Sequence, residues 1–448
     1  VLMERMPMER ALMQGALMQL NQPLCCDLTE LYAGSLGRGG FYGIARVVAE
    51  IALALDGLVE PVQYVVFSAS LQRFVRVVLP REQLLLGRPA SFGFAVHRLL
   101  FALDQHGSRW LGRCPSALQA WLRRALEWLA APWLSNPAQA VEPGVLFSAA
   151  RPKFLARYPR AMQRQGLKLA SLVHDFFPLL DTHDRPRQAF VDAFARDNRV
   201  VLENSDVVIA NSFFTRDCLL QLQQSGHLPQ PPKLAVAQLA HECRSPEGGV
   251  CTPLAHQHQR AFEAAAGGYF LAVGCRPGRK NLQLILEAWL LLHAQCQADG
   301  GLRTLPALVL AGAIRGSIRR FVEQPRYAPI RSAIQWAASP TQAELVGLYQ
   351  GAIATLLPSF SEGWGLPASE SLWFGTPVVV SDTPVMHEVC GDLGFYVDPS
   401  QPEALAHQIH QLVAQTDVLE GQRQRIAGSR ASLRRWLATA QDVLEALC

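Results

Sequence analysis

Short apolar runs alternate along this chain with longer stretches whose apolar positions recur every three or four residues. The first pattern predicts buried strands and the second amphipathic helices, and their regular alternation predicts parallel α/β layers. In the second half, Tyr269–Val273, Ala307–Leu310, Ala352–Leu356 and Pro377–Val380 read as strands. Helical spacing fills the intervals near 281–296, 341–350, 366–374 and 402–414, and an amphipathic helix closes the chain from Trp436 to Leu447. In the first half, Leu169–Val173 and Val207–Ala210 read as strands and Ile44–Leu55 as a helix. Residues 66–145 carry little pattern and read as a variable part.

A chain of 448 residues exceeds what one ordinary hydrophobic core organises, so more than one domain is expected. A polar, glycine-containing stretch from about His241 to Gly268 reads as the linker. The division expected is a leader over 1–24, a first α/β domain over 25–262, a second over 263–431 and a closing helix over 432–448. The leader holds five of the seven methionines and has no secretory pattern; it reads as disordered or as a mis-set translation start.

Half the residues are hydrophobic and 17% are charged, which supports well-buried cores. The net charge of +4 comes without a basic stripe interleaved with aromatics, so nucleic acid is not an expected partner. Mild basicity suits anionic small ligands or an anionic membrane surface. None of the ten cysteines forms a Cys-x-x-Cys pair, and reduced thiols in the cytoplasm are the plain reading. No run reaches the roughly 20 apolar residues that span a bilayer.

Candidate chemistry concentrates in four segments. In the first, Pro358-Ser-Phe-Ser-Glu362-Gly363-Trp-Gly365-Leu366-Pro-Ala-Ser-Glu370, a strand runs into a glycine-bearing loop and then a helix with Pro367 in its first turn. Glu362 thereby falls at a strand's carboxyl end, where open α/β sheets bind ligands, and Glu370 falls one turn into the helix. Free N–H groups at the helix start are placed to face a diphosphate, and two carboxylates can accept from vicinal hydroxyls. Standing alone, such a pair is more often a solvated surface feature.

The second, Val273-Gly-Cys-Arg276-Pro-Gly-Arg279-Lys280-Asn281, is a strand, a sharp turn and a helix start rich in cations that suit a diphosphate. The third, Gly39-Gly40-Phe-Tyr-Gly43-Ile-Ala-Arg46, permits close backbone approach to a ligand but lacks the spacing of a nicotinamide-cofactor fingerprint. The fourth places His174 and Asp175 at the end of a buried strand. Ser212 or Thr215 further on reads as a helix cap as readily as a site residue.

Taken together these segments resemble the retaining glycosyltransferases of family 4, the group 1 glycosyltransferases, and most of all bacterial mannosyltransferases of surface-glycan assembly. The two glutamates with seven residues between them, followed by Thr376-Pro-Val, Glu388-Val and Asp398-Pro, carry most of that likeness. Arg279-Lys280-Asn281 matches the family's donor-phosphate loop, with Arg276 displaced from the usual earlier cation. Gly43-Ile-Ala-Arg46 matches a Gly-Ile-x-Arg stretch in which Ala45 replaces a glycine.

The resemblance implies a GT-B fold, two Rossmann-like domains facing across a cleft, with the last helix crossing back to the first. It implies that Glu362 and His174 act at the donor sugar. Glu370 would hold the ribose, and Arg276, Lys280, Asn281, Gly363, Gly365 and Leu366 would line the donor site. Gly39, Gly40, Gly43 and Arg46 would form a diphosphate or acceptor loop. The expected partners are a GDP- or UDP-linked sugar, with GDP-mannose first, and a glycan or lipid-linked glycan acceptor.

No Asp-x-Asp occurs and no His/Cys cluster has metal-ligand spacing, so neither a metal nor another cofactor is expected, the nucleotide sugar being a substrate. Lys280 and Arg276 would take the charge role a divalent ion plays elsewhere. A sugar-nucleotide epimerase or phosphorylase shares this architecture, and a non-catalytic partner subunit is the other competing reading. Ala117–Leu134, rich in tryptophan and arginine, reads either as a helix packed on its own domain or as an interfacial helix. In the second case the enzyme would sit on the inner face of the cell membrane.

Overall fold

The computed structural model describes residues 22–34, 43–69, 71–85, 140–180, 183–184, 186–244, 268–298 and 304–448, with isolated positions 118, 121, 125 and 128. Among these residues two sheets organise the fold. The first contains β1 (Leu24–Asp27), β2 (Val62–Ser68), β3 (Arg73–Val77), β4 (Gly144–Ser148), β5 (Leu167–Val173), β6 (Ser205–Ala210) and β7 (Leu234–Val236). Its order is β3-β2-β1-β4-β5-β6-β7, and all its pairings are parallel except the β2–β3 hairpin. The second contains β8 (Tyr269–Val273), β9 (Ala307–Gly312), β10 (Ile334–Ala338), β11 (Ala352–Leu357), β12 (Val378–Ser381) and β13 (Gly394–Val397). It is wholly parallel, in the order β10-β9-β8-β11-β12-β13.

These orders place the chemistry. In each sheet the strand order reverses beside the sheet's first strand, between β1 and β4 and between β8 and β11. Crevices open at the carboxyl ends of such strands because the following loops diverge to opposite faces. The loops after β8 and β11 are the cationic turn and the glutamate segment. The loop after β5 carries His174 and Asp175.

β8, β9, β11 and β12 start where the apolar pattern placed them, within a residue, because both faces of the sheet's centre are buried and these strands read as continuous apolar runs, whereas the partly buried edge strands β10 and β13 were not marked by it. The stretch read as variable contains order as well. β3 falls in it and β4 begins at its end, and β3 escaped notice because Arg73-Phe-Val-Arg-Val is a short edge strand interrupted by two arginines.

Helix α1 (Ile44–Asp56) covers the first sheet, and its only inward-facing cation and anion are Arg46 and Glu50. The last helix, α2 (Trp436–Leu447), packs on α1, β6 and β7, so the chain ends on the first domain. The stretch read as linker begins as part of this packing. The Glu242 carboxylate accepts from the Trp436 N–H at 3.0 Å, and His241 N–H donates to the Arg434 carbonyl at 2.9 Å. One apolar cluster consequently runs from β1 and α1 through Trp436 to Trp364, Val378 and Met386 of the second domain.

Candidate active site in the interdomain cleft

A cavity of about 340 Å³ lies between the two sheets' carboxyl edges. The first domain lines it with Gly43, Arg46, His174, Asp175 and Asn211, and the second with Arg279, Lys280, Glu362, the Gly363–Pro367 turn and Glu370. The domains meet closely beside it. Thr215 Oγ1 lies 3.4 Å from both the His174 and the Gly363 carbonyls, and the Glu388 carboxylate accepts the N–H groups of Phe213 at 2.8 Å and Phe214 at 3.1 Å.

Glu362 sits in the turn after β11, buried and doubly met by cations. Arg279 Nη1 is 3.2 Å from one carboxylate oxygen, and Lys280 Nζ contacts the other. Burial alone would push this carboxyl up, but Lys280 and Arg279 overcome it and hold the group at about 2. The two loops are clasped by backbone as well, the Phe360 N–H donating to the Arg279 carbonyl at 2.9 Å.

Glu370 lies on α3 (Leu366–Trp373), whose start is fixed by Gly365 at φ +96°, a backbone conformation that favours glycine. Its Oε1 is 2.7 Å from Arg46 Nη1, and its Oε2 accepts from the Tyr349 hydroxyl at 2.8 Å. Burial raises its affinity for a proton, and Arg46 and Tyr349 oppose that rise.

His174 lines the cavity with its ring anchored behind it, Nε2 lying 2.7 Å from the Ala149 carbonyl. A carbonyl only accepts, so Nε2 carries a proton and Nδ1 is left as the acceptor. Removal from water lowers its proton affinity, which keeps the ring neutral. Its neighbour Asp175 goes the other way. Burial pushes that carboxyl up to about 6, with Arg279 opposing the rise and Glu362 adding to it.

The remaining expected residues divide. Gly43 starts α1 at φ +58° on the cavity wall, while Gly39 and Gly40 lie outside the described residues. Gly363, Gly365 and Leu366 all line the cavity. Asn281 does not line it. Its side-chain amide donates to the Pro358 carbonyl at 3.0 Å and the Pro399 carbonyl at 2.8 Å, tying the two loops together.

Arg276 also stands outside the lining, its guanidinium held by the Asp184 carboxylate at 2.6 and 3.1 Å. Asp184, which carried no motif, accepts the Arg279 N–H at 2.7 Å too, and these contacts hold its carboxyl low against the cost of burial. Phe177, under the Arg279 guanidinium at 4.1 Å, and Tyr349 were likewise unmarked in the sequence. Among the described residues no group of His, Cys, Asp and Glu is arranged to hold a metal ion.

Parallel sheets joined across such a cleft, with the last helix returning to the first domain, make this a GT-B fold. Residues 257–430 match the family Glycosyl transferases group 1, and the chain carries a domain of that family. The chain is 28% identical over 242 residues to the O-antigen chain mannosyltransferase B of Escherichia coli, an alignment covering 53% of this chain and 59% of that protein. It is 38% identical over 104 residues to a GDP-mannose-dependent alpha-(1-6)-phosphatidylinositol dimannoside mannosyltransferase of Mycobacterium tuberculosis, covering 23% of this chain and 26% of the relative. The matches thus span less than two thirds of these relatives' length.

Among solved structures, sucrose-phosphate synthase from Thermosynechococcus elongatus superposes with a TM-score of 0.58 at 14% identity, over 95% of this chain and 98% of that one. The Anabaena protein HepE, in complex with UDP, does so with a TM-score of 0.55 at 14% identity, over 95% and 99%. These likenesses show the fold.

Proposed function

We propose that this chain is a retaining hexosyltransferase that moves mannose from GDP-mannose to a glycan or lipid-linked glycan. The observation that carries this reading is a single cavity lined both by Glu362, bracketed by Lys280 and Arg279, and by Glu370. That set of groups suits a diphosphate sugar, with the cations at the diphosphate, Glu362 at sugar hydroxyls and Glu370 at the ribose. Relatives named as mannosyltransferases, one of them GDP-mannose-dependent, support the choice of sugar and nucleotide.

In the reaction the bond from the anomeric carbon to the diphosphate oxygen breaks, and the acceptor oxygen bonds to that carbon on the same face. The acceptor proton passes to the departing phosphate oxygen. Lys280 and Arg279 stabilise the charge that develops there, in a cavity where such interactions are stronger than in water. The neutral His174 ring, held by Ala149, presents a fixed edge to the reacting sugar. These cations suffice in principle without a metal, so transfer should persist in a chelator.

The test is transfer from GDP-mannose, GDP-glucose, UDP-glucose and UDP-N-acetylglucosamine, with thermal stabilisation by GDP and UDP measured alongside. Selective stabilisation by GDP with mannose transfer supports the reading. Folded protein that responds to none of them defeats it.

The acceptor side is proposed to meet a membrane. Of the segment 117–134, the described residues Leu118, Trp121, Ala125 and Trp128 are helical and fall at spacings of one helix face. Leu118, Trp121 and Trp128 are 40%, 64% and 76% exposed, and large apolar side chains presented together outward suit a lipid interface. Among the described residues no helix is long and apolar enough to cross a membrane.

A further inference from the structure

Glu370 is proposed for the ribose, yet both of its oxygens are engaged by protein, one by Arg46 from the opposite domain. We propose that Arg46 is a positioning residue that trades partners, holding Glu370 charged and aimed across the domain boundary and passing its guanidinium to the diphosphate when the ribose takes the carboxylate. This rests on the nucleotide-sugar reading of the cleft.

A buried cation has few places to go. Arg46 is almost wholly enclosed, so losing Glu370 without a substitute would strand a charge away from water. The other groups facing it are already engaged or neutral. Glu50, one turn further along α1, is held by Arg244 at 2.5 Å. Cys243, beside Arg46 and accepting from the Gln342 amide at 3.1 Å, has its thiol pushed up to about 12 by burial and stays protonated. Tyr349 faces Glu370 from the other side as a neutral donor. Arg46 lines the same cavity as Arg279 and Lys280, so the diphosphate that arrives with the ribose is the anion within its reach. The swap makes first-domain α1 respond to donor occupancy in the second domain.

The test compares nucleosides with their diphosphates on the full chain. In Arg46→Met, GDP and UDP should lose about 10- to 100-fold more affinity than guanosine and uridine do, the usual worth of a hydrogen bond to a charged group, the nucleosides losing only what the weakened hold of Glu370 on the ribose costs. In Glu370→Gln, which frees the guanidinium, nucleoside affinity should fall and inorganic pyrophosphate affinity should rise. Equal losses for nucleoside and diphosphate in Arg46→Met, or no gain for pyrophosphate in Glu370→Gln, overturn the exchange and leave the functional reading standing. Wild-type protein that binds neither diphosphate overturns both.

A ligand-free arm tests the hold on Glu370. Without Arg46 the buried carboxyl should climb further above its ordinary value, so the folded chain binds a proton that the unfolded chain releases. The stability deficit of Arg46→Met should therefore grow as pH rises, and Arg46→Met/Glu370→Gln should remove that growth. A deficit independent of pH overturns the positioning role.

Discussion

The carbonyl oxygen of His174 stands 2.0 Å from where a Cβ on Gly363 would fall, so the loop after β5 in the first domain rests directly on the backbone of the second. Glycine is required here by approach, since any side chain would push against main chain that is itself pinned by the Asn211 N–H donating to the Val173 carbonyl at 3.2 Å. Gly363→Ala should force the two loops apart. The expected cost is about 1–3 kcal/mol of stability, as for other overpacked sites, with a larger loss of turnover than of nucleotide binding. Chemical denaturation and steady-state kinetics check this, and wild-type turnover in a folded Gly363→Ala variant would show that the contact does not shape the site.

Lys280 and Glu362 form the second relationship with a measurable consequence. The Glu362 carboxyl is held at about 2, below its unfolded value of 4.5, so its contribution to stability is present above about pH 4.5 and disappears as pH falls toward 2. Lys280→Met removes one of the two cations responsible. Its stability deficit should reach about 2 kcal/mol at neutral pH and shrink as pH drops below 4.5. Turnover should fall on the order of 100-fold, as when one donor to developing charge is removed. Urea titrations between pH 3 and 7 separate this from a general packing defect, whose cost would not follow pH.

The second domain was far more legible in the sequence than the first. Its strands are buried on both faces, and its loops after β8 and β11 carry local motifs in which every expected residue lies within a few positions of the next. The pairings that assemble the cleft are of another kind. Arg46 with Glu370, Asp184 with Arg276 and Glu388 with Phe213 each join residues far apart in the chain, and no local pattern marks them. Arg276 and Asn281 show the limit of motif transfer, since the first is held by Asp184 and the second ties loops together. The β2–β3 hairpin was obscured for a different reason, because β3 is a short edge strand interrupted by two arginines and resembles a surface loop.

Asp175 should impose its own pH dependence. Its carboxyl is pushed up to about 6 from 3.8, chiefly by burial, so its folded state favours the proton. A group raised in this way stabilises the fold relatively at low pH, and that contribution is lost as pH climbs from about 4 through 6. Asp175→Asn should therefore be more stable than wild type above pH 6, by up to about 3 kcal/mol, and level with it near pH 4. Thermal midpoints across that range decide the matter. Parallel curves for the two proteins would mean that Asp175 titrates normally.

Asp184 reaches from the first domain to the loop that carries the cations, taking both the Arg276 guanidinium and the Arg279 N–H. A carboxylate placed on those donors offers them the kind of partner that an incoming phosphate would also offer. Asp184→Asn should therefore release Arg276 and raise the affinity for GDP or UDP several-fold, while leaving nucleoside affinity unchanged. The pair is half exposed and solvent-screened, so the loss of fold stability should stay within about 1 kcal/mol. Calorimetric titration with nucleoside and nucleoside diphosphate distinguishes the alternatives. Weaker diphosphate binding in Asp184→Asn would show that the carboxylate orders the loop for its ligand instead of competing with it.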